Sequence, residues 1–332
     1  MKIALFGKRH NLFFLAFTFL SIIVNPSVKA SDMKNYNLFF SADDALFDIR
    51  VNGISVEKHD RPKELSSSVP VNQLLRSGEN IIEVNFRQSN MARNDKINLD
   101  KKLATNFFMA LRLDVGDKDF HENIDLAYIE QDSQGSYKAV EKSLKNIEYK
   151  NTGEIIKVES ISGFSDSEII LAYGVVFDSE SFQITIDIDD NNLSELLWKD
   201  AIKVELTDDV KQKVIGKYQE IRSYIDHNDG ASYLEVFRDV WDNTAKSYDL
   251  GGVDYYINNT DAMNPIKIGE GNELGEFIYS EDEYKFEHLY DDKLVRIVLS
   301  PIYWGEYHQI SVSPIFYFDK DMNIHAASIT TD

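Results

Sequence analysis

The chain has 332 residues, a formal net charge of −21 and no cysteine. Without thiols it has no disulfides, thiolate metal sites, cysteine nucleophile or lipid attached through cysteine. The acid excess opposes nucleic acid or anionic lipid as a bulk partner. With 43% apolar and 12% aromatic residues it can fill hydrophobic cores, which argues against wholesale disorder.

Residues 1–30 read as a secretory signal. Lys2, Lys8 and Arg9 form a positive start, and Leu12 to Val24 is an apolar stretch of 13 residues broken only by Thr18 and Ser21. Val28-Lys29-Ala30 places small residues at the −3 and −1 positions of a cleavage site. A membrane span needs ~20 apolar residues, so this stretch is short for one. The expected product is periplasmic or secreted after cleavage near Ala30, and not membrane-spanning. Four of the 35 basic residues lie in this leader, so the rest carries 31 basic against 56 acidic side chains, a net −25. At ~150 residues per domain, the mature length predicts two domains, 31–190 and 207–332, joined by a linker over 191–206.

From Tyr36 to Ile188 apolar and polar residues alternate in short runs between turn residues, the pattern of an antiparallel β-sandwich. Leu46, Ile49 and Val51 lead into Asn52-Gly53, the strongest short hairpin signal, and Ile54 and Val56 follow. Further runs lie at 81–86, 107–115, 124–130, 144–150, 155–161, 168–177 and 182–188. The stretches Glu57–Ser68 and Gln88–Lys102 read as charged loops. Asp48-Ile49-Arg50-Val51-Asn52-Gly53, then Leu74-Leu75, then Gly78-Glu79-Asn80-Ile81-Ile82-Glu83-Val84 resemble the galactose-binding-like jelly roll. The resemblance covers residues 42–86 and implies that fold, with glycan binding through end loops as one function its members carry.

Asp187 to Asn192 is a polar, turn-forming run that closes the β region. Trp198, beside Leu196 and Leu197, is expected to wedge the two domains together. Val210, Val214, Tyr218, Ile221 and Ile225 then recur at four- and three-residue steps, the stripe of a helix that starts at Asp208-Asp209 and stops at Asn228 and Gly230. Ser232-Tyr233-Leu234-Glu235 reads as a capping box opening a second helix, with Val236, Phe237, Val240 and Trp241 on one face. An irregular stretch follows, then β runs at 284–289, 294–303, 309–318 and 324–327. Helices before a sheet predict an α+β unit with the helix pair on one sheet face. This order, over roughly 200–332, resembles the NTF2-like cone, which implies a curved antiparallel sheet around helices. Enzymes of that fold place acids or a Tyr/Asp pair inside the cone, and Asp254, Tyr255 and Tyr256 are the residues of this chain that match. The fold class expected overall is α+β, a jelly-roll-like sandwich followed by an NTF2-like domain.

Motifs for chemistry are weak. Gly163-Phe164-Ser165-Asp166-Ser167 lacks the second glycine of a nucleophile elbow, and His121-Glu122 has no second histidine at zincin spacing. Gly269-Glu270-Gly271-Asn272 has no following lysine to serve phosphate. The acidic runs from Asp187 and from Asp319 begin like EF-hands, but lack the central glycine and the final glutamate. His288, His308 and His325 are spread over the last strands without zinc-ligand spacing. These readings assign no catalytic residue, no cofactor and no metal. The suggestive feature is Tyr303-Trp304-Gly305-Glu306-Tyr307-His308, a turn crowded with aromatics. Tyr303, Trp304, Tyr307 and His308 are a candidate contact patch, since Tyr and Trp dominate binding hot spots. The function expected is an exported, non-catalytic binding protein, neutralising a basic protein partner in the manner of an immunity protein. A small-ligand or enzymatic pocket in the second domain and a glycan-binding jelly roll are the alternatives.

Overall fold

The computed structural model describes residues 33–91, 97–98, 106–117, 121–131, 136–140, 155–170, 176–269, 272–280, 284–305 and 310–331. The signal segment and the run at 144–150 lie outside these. Among the described residues strands dominate, all the pairings are antiparallel and the α-helices lie in the second half, so the chain is a β-rich α+β protein.

In chain order the first strands are β1 (Asn35–Asp43), β2 (Ala45–Val51), β3 (Ile54–His59), β4 (Leu65–Pro70) and β5 (Gly78–Gln88). The short β6 (Asn90–Met91) and β7 (Ile97–Asn98) follow, then β8 (Phe108–Gly116), β9 (His121–Gln131) and β10 (Tyr137–Val140). Finally come β11 (Ile156–Ile161), β12 (Ser165–Ile170) and β13 (Val176–Ile188). One sheet runs β10-β9-β8-β1-β4 and the other β11-β13-β5-β2-β3, with β12 also on β13. Tyr36, Leu38 and Phe40 from the first sheet and Phe47, Ile49 and Val51 from the second meet in a single core, so the sheets form a sandwich. Period-2 alternation puts those residues inside, and it leaves Asp48 and Arg50 on the outer face of β2. Of the expected charged loop at 57–68 only residues 60–64 connect strands; the rest is the end of β3 and the start of β4. The Ser66-Ser67-Ser68 run pairs with Ser41 to Phe39 of β1, giving an edge strand whose polar side chains suit its exposure.

The hairpin at Asn52-Gly53 forms as expected. Both residues have positive φ, 48° and 85°, as a two-residue turn of this kind requires. Asn52 is buried and organises its surroundings. Its amide donates to Leu74 O and Asn80 Oδ1, and its Oδ1 accepts from Ile81 N–H.

The second half begins with α1 (Asp208–Asp226) and α2 (Gly230–Ser247). Thr207 caps α1 by accepting from Val210 N–H, and the whole predicted stripe from Val210 to Ile225 is buried. For α2 the cap is Asp229, which accepts from Ser232 N–H. The expected capping box therefore falls one turn inside the helix, and Asp229 takes the cap three residues earlier. The irregular stretch contains the short α3 (Val253–Asn259) and α4 (Asn264–Gly269). Then come β14 (Lys285–Leu289), β15 (Leu294–Val298), β16 (Ile302–Trp304), β17 (Ile310–Phe318) and β18 (Ile324–Thr331). The run 294–303 is two strands rather than one. Pro301 has no N–H for a ladder, and Ser300 diverts its hydroxyl to Val312 O while accepting from Ile302 N–H.

This third sheet is buried on both sides. Val295, Ile297, Phe316 and Phe318 pack with the α1 and α2 stripes. On the opposite face, Leu289, Leu294, Ile315 and Ala327 join the core of the sandwich. Trp198 belongs to that same core, edge-on to Tyr290 with ring centroids 6.5 Å apart. It therefore sits where the two halves meet. Residues Asp32–Asp332 are accordingly one compact unit.

Candidate functional site

Where the third sheet lies against the sandwich, the seam is charged. All seven residues of β2 are buried, including Asp48 and Arg50 on its outer face. Across from them on β5 stand Asn85 and Glu83, their register partners. From the other half, β14 contributes Glu287 and β15 contributes Arg296, also register partners. Arg50 is the hub. Its Nε donates to Asp48 Oδ2 at 2.8 Å and its Nη2 to Glu287 Oε1 at 2.6 Å, with Glu83 3.5 Å from Nη1. Glu287 uses its second oxygen for Arg296, at 2.7 Å from Nε and 2.6 Å from Nη2. Asp48 turns its other oxygen to the Ser55 hydroxyl at 2.6 Å.

Charge pairing dominates desolvation here. Burial alone would lift the carboxyls, but Arg50 and Lys58 beside Asp48 outweigh it and hold that group below the usual range. Burial likewise works against ionised Glu287, yet Arg296 and Arg50 hold its carboxyl down at about 2. For Arg50, the carboxylates of Asp48, Glu287 and Glu83 outweigh burial and raise the guanidinium further. Asp48, Arg50 and Glu287 are therefore ionised in the ordinary pH range.

Beside this network runs an open polar cleft of about 320 Å³. One wall is the sandwich, with Arg50, Gly53, Glu83, Asn85, Ser167 and Glu168; the other is residues Leu289 to Asp292 together with Glu287 and His288. The lining holds five carboxylates, Glu83, Glu168, Glu287, Asp291 and Asp292, against one guanidinium, Arg50. The turn in the second wall has an unusual backbone: Tyr290, Asp291 and Asp292 have φ of 49°, 57° and 62°. Such left-handed positions are costly for residues with a Cβ and tend to mark sites where the surroundings over-determine the chain. Tyr290 presses on the Asn52-Gly53 turn so closely that a Cβ on Gly53 would lie 2.5 Å from its own Cβ.

His288 Nδ1 lies 3.1 Å from Asp292 Oδ1, a base–orienter pair in form. Ser167, in the same cleft, donates its hydroxyl to Asn85 Oδ1 at 2.9 Å, so no nucleophile–base bond from it to the imidazole completes a triad. What the arrangement offers is a negative, solvent-open recess next to a buried charge network. Its chemistry suits a cation with N–H donors.

The described residues singled out from sequence are placed as follows. Trp304 is 4% exposed and lies in the core between the helices and the third sheet, so it is not part of a contact surface. Its backbone forms an isolated antiparallel bridge with Leu274, which holds the residue against the core. Tyr303 is half-buried and donates to Glu276 O at 3.0 Å, its ring so close to Gly275 that a Cβ there would lie 1.9 Å away. Tyr307 and His308 lie outside the described residues. Tyr255 is 48% exposed on α3, Asp254 is exposed and Tyr256 is half-buried against the helix-side core, so they do not converge inside a cone. His288 and His325 are paired with different carboxylates, Asp292 and Asp319. Asp319 is a turn organiser, accepting from the backbone N–H of Asp321 and of Asn323 at 2.9 Å. Among the described residues no three potential metal ligands come together, and no helix is long and apolar enough to cross a membrane.

Sequence reasoning passed over Asp48, Arg50, Glu287 and Arg296. A signal was present in Leu294-Val295-Arg296-Ile297-Val298, where a charge interrupts an apolar strand and must find a buried partner.

Compared with known proteins, the chain matches no family model, no curated protein and no solved structure. The fold and site together define a β-rich α+β protein with an acidic cleft at the seam of its two halves.

Proposed function

We propose that this chain is an exported, non-catalytic binding protein of the bacterial envelope that acts by contact with a basic protein, as an immunity protein does with its toxin. Residues 1–30 would direct export and be removed near Ala30. On this reading the first half is a galactose-binding-like jelly roll used as a scaffold, and the second an NTF2-like unit closed by its own core. The observation that carries the proposal is the cleft's charge, five carboxylates against one guanidinium, on a chain already at net −25 beyond the leader. Such a field speeds encounter with a cationic surface, and the effect weakens as salt screens it.

The test is calorimetric titration of the mature chain with lysine-rich and arginine-rich peptides at low and at high salt, and of the E168Q/D292N variant under the same conditions. Saturable binding that fades with salt and falls about tenfold or more in the variant supports the reading. Absence of saturable binding at low salt, or equal binding by the variant, removes it.

A further inference from the structure

The second wall of the cleft differs mechanically from the first. Strand β14 is the edge of its sheet and, among the described residues, is bonded only to β15. Of its five residues Leu289 alone is fully buried, whereas β15 beside it has four of five buried. The apolar anchors of β14 therefore lie at the two ends, Tyr284 just before it in the helix-side core and Leu289 in the sandwich core, and little apolar surface holds the part between. Phe286, on its helix-facing side, is half-buried under Tyr279 and the Lys211 ammonium. The cleft-facing side is held next to the turn by Leu289, which sits in the sandwich core, and further along by Glu287, whose two oxygens reach in opposite directions: to Arg50 on the sandwich and to Arg296 on β15. Just beyond β14, the turn is anchored independently. Val204 N–H donates to Asp292 O at 3.0 Å, Lys203 pairs with Asp291 at the surface, and Tyr290 rests on Gly53 and Trp198.

We propose that β14 is a strap over the seam cleft, pivoting at the left-handed turn 290–292 and latched by Glu287 to Arg50. Lifting it moves Glu287 and His288 off one wall and widens the cleft, while the turn, β15 and the helices stay in place. The charged groups facing Glu287 are Asp48 and Arg50 from β2, Lys58 from β3, Glu83 from β5 and Arg296 from β15. With Arg296 and Arg50 beside it the latch stays ionised in the ordinary pH range, so it is released by competition for Arg50 or by mutation rather than by mild acid. The strap stands whether or not the occupant of the cleft is a basic protein.

Amide hydrogen exchange of the full mature chain at neutral pH, read on peptides covering 284–289, tests it. Two variants are compared with the native chain. Glu287→Gln weakens the latch, and D48M/R50M removes the cross-seam tie while leaving Glu287 paired with Arg296, so that no buried charge is stranded. Both should exchange at least about tenfold faster over 284–289, with rates in β5, β13, α1 and α2 unchanged. Should E287Q fail to fold, D48M/R50M alone decides. Unchanged exchange over 284–289, acceleration spread evenly over the sandwich and helices, or acceleration in E287Q but not in D48M/R50M would each overturn the proposal.

Discussion

The contact between Gly53 and Tyr290 can be separated into its two physical parts by comparing two glycines. Gly53 and Gly78 have nearly the same backbone, φ of 85° and 88°. Their surroundings differ entirely: a Cβ on Gly78 would meet nothing within 4 Å, while one on Gly53 would lie 2.5 Å from Tyr290 Cβ and 3.1 Å from Tyr290 N. Gly78→Ala should therefore cost only the conformational penalty of a left-handed alanine, roughly 1–2 kcal/mol. Gly53→Ala carries the same penalty plus a displacement of the Tyr290 backbone by most of an ångström. Overpacking of that size in a close-packed seam typically adds about 1–3 kcal/mol. Urea unfolding should thus give a difference between the two variants of about 1–3 kcal/mol, with G53A the less stable. In a chain of this size that separates their thermal midpoints by several degrees. Equal destabilisation of G53A and G78A would mean that the two halves do not meet at this turn, and the account of the seam would fail with it.

Two further outcomes follow from single buried groups. Burial alone lifts the Glu57 carboxyl from 4.5 to about 7, so the folded state holds that proton more tightly than the unfolded chain. Its contribution is present below about pH 4.5 and lost as pH rises through 7, and Glu57→Gln should remove this dependence. The variant should gain roughly 1–2 kcal/mol over the native chain at pH 8, after allowing for solvent screening, and nothing at pH 4. Thermal unfolding across pH reads it, and a gain that is the same at both pH values contradicts the assignment. Tyr218, fully buried on α1, donates to Pro314 O at 2.8 Å and accepts from Ile297 N–H at 3.2 Å. Tyr218→Phe strands both backbone groups and should cost about 1–3 kcal/mol in urea unfolding; a change below about 0.5 kcal/mol would show that they find other partners.

Local patterns carried the elements far better than the site. The α1 stripe is visible because every fourth or third residue from Val210 to Ile225 must face one core, and the helical period is a property of the backbone itself. Asn52-Gly53 is visible for a similar reason, since few residue pairs accept two consecutive positive φ values. The edge strand β4 was not visible, because Ser66 to Ser68 satisfy β1 through backbone bonds that serine neither favours nor forbids. The charge network was hidden for a different reason. In Phe47-Asp48-Ile49-Arg50-Val51 the alternation reads as apolar inside and polar toward water, which is correct for the sandwich taken alone. That the outer face is covered depends on β14 and β15, more than 230 residues later in the chain. No periodicity within β2 encodes a partner at that distance.

The seam also bears on how the cleft should be understood. Leu289, Leu294, Ile315 and Ala327 would tolerate a sliding mismatch between the halves, because apolar contact is not directional. Arg50 does not tolerate it. A slip that moved Glu287 out of reach would leave buried charges unpaired at a cost of several kcal/mol, so the network fixes register more than it adds stability. Such a network is cheaper to bury if one side stays hydrated, and Glu83 and Glu287 keep side-chain exposures of 27% and 17%. Hydrating the network is therefore a sufficient reason for the cleft to exist, independent of any ligand. Glu168 is where the two accounts part. It is exposed, lies on β12 at the cleft wall and takes no part in the Arg50 network. If the cleft only keeps the seam hydrated, Glu168→Gln alone is silent toward cationic peptides; if the cleft receives a basic group, that substitution weakens binding while stability stays unchanged.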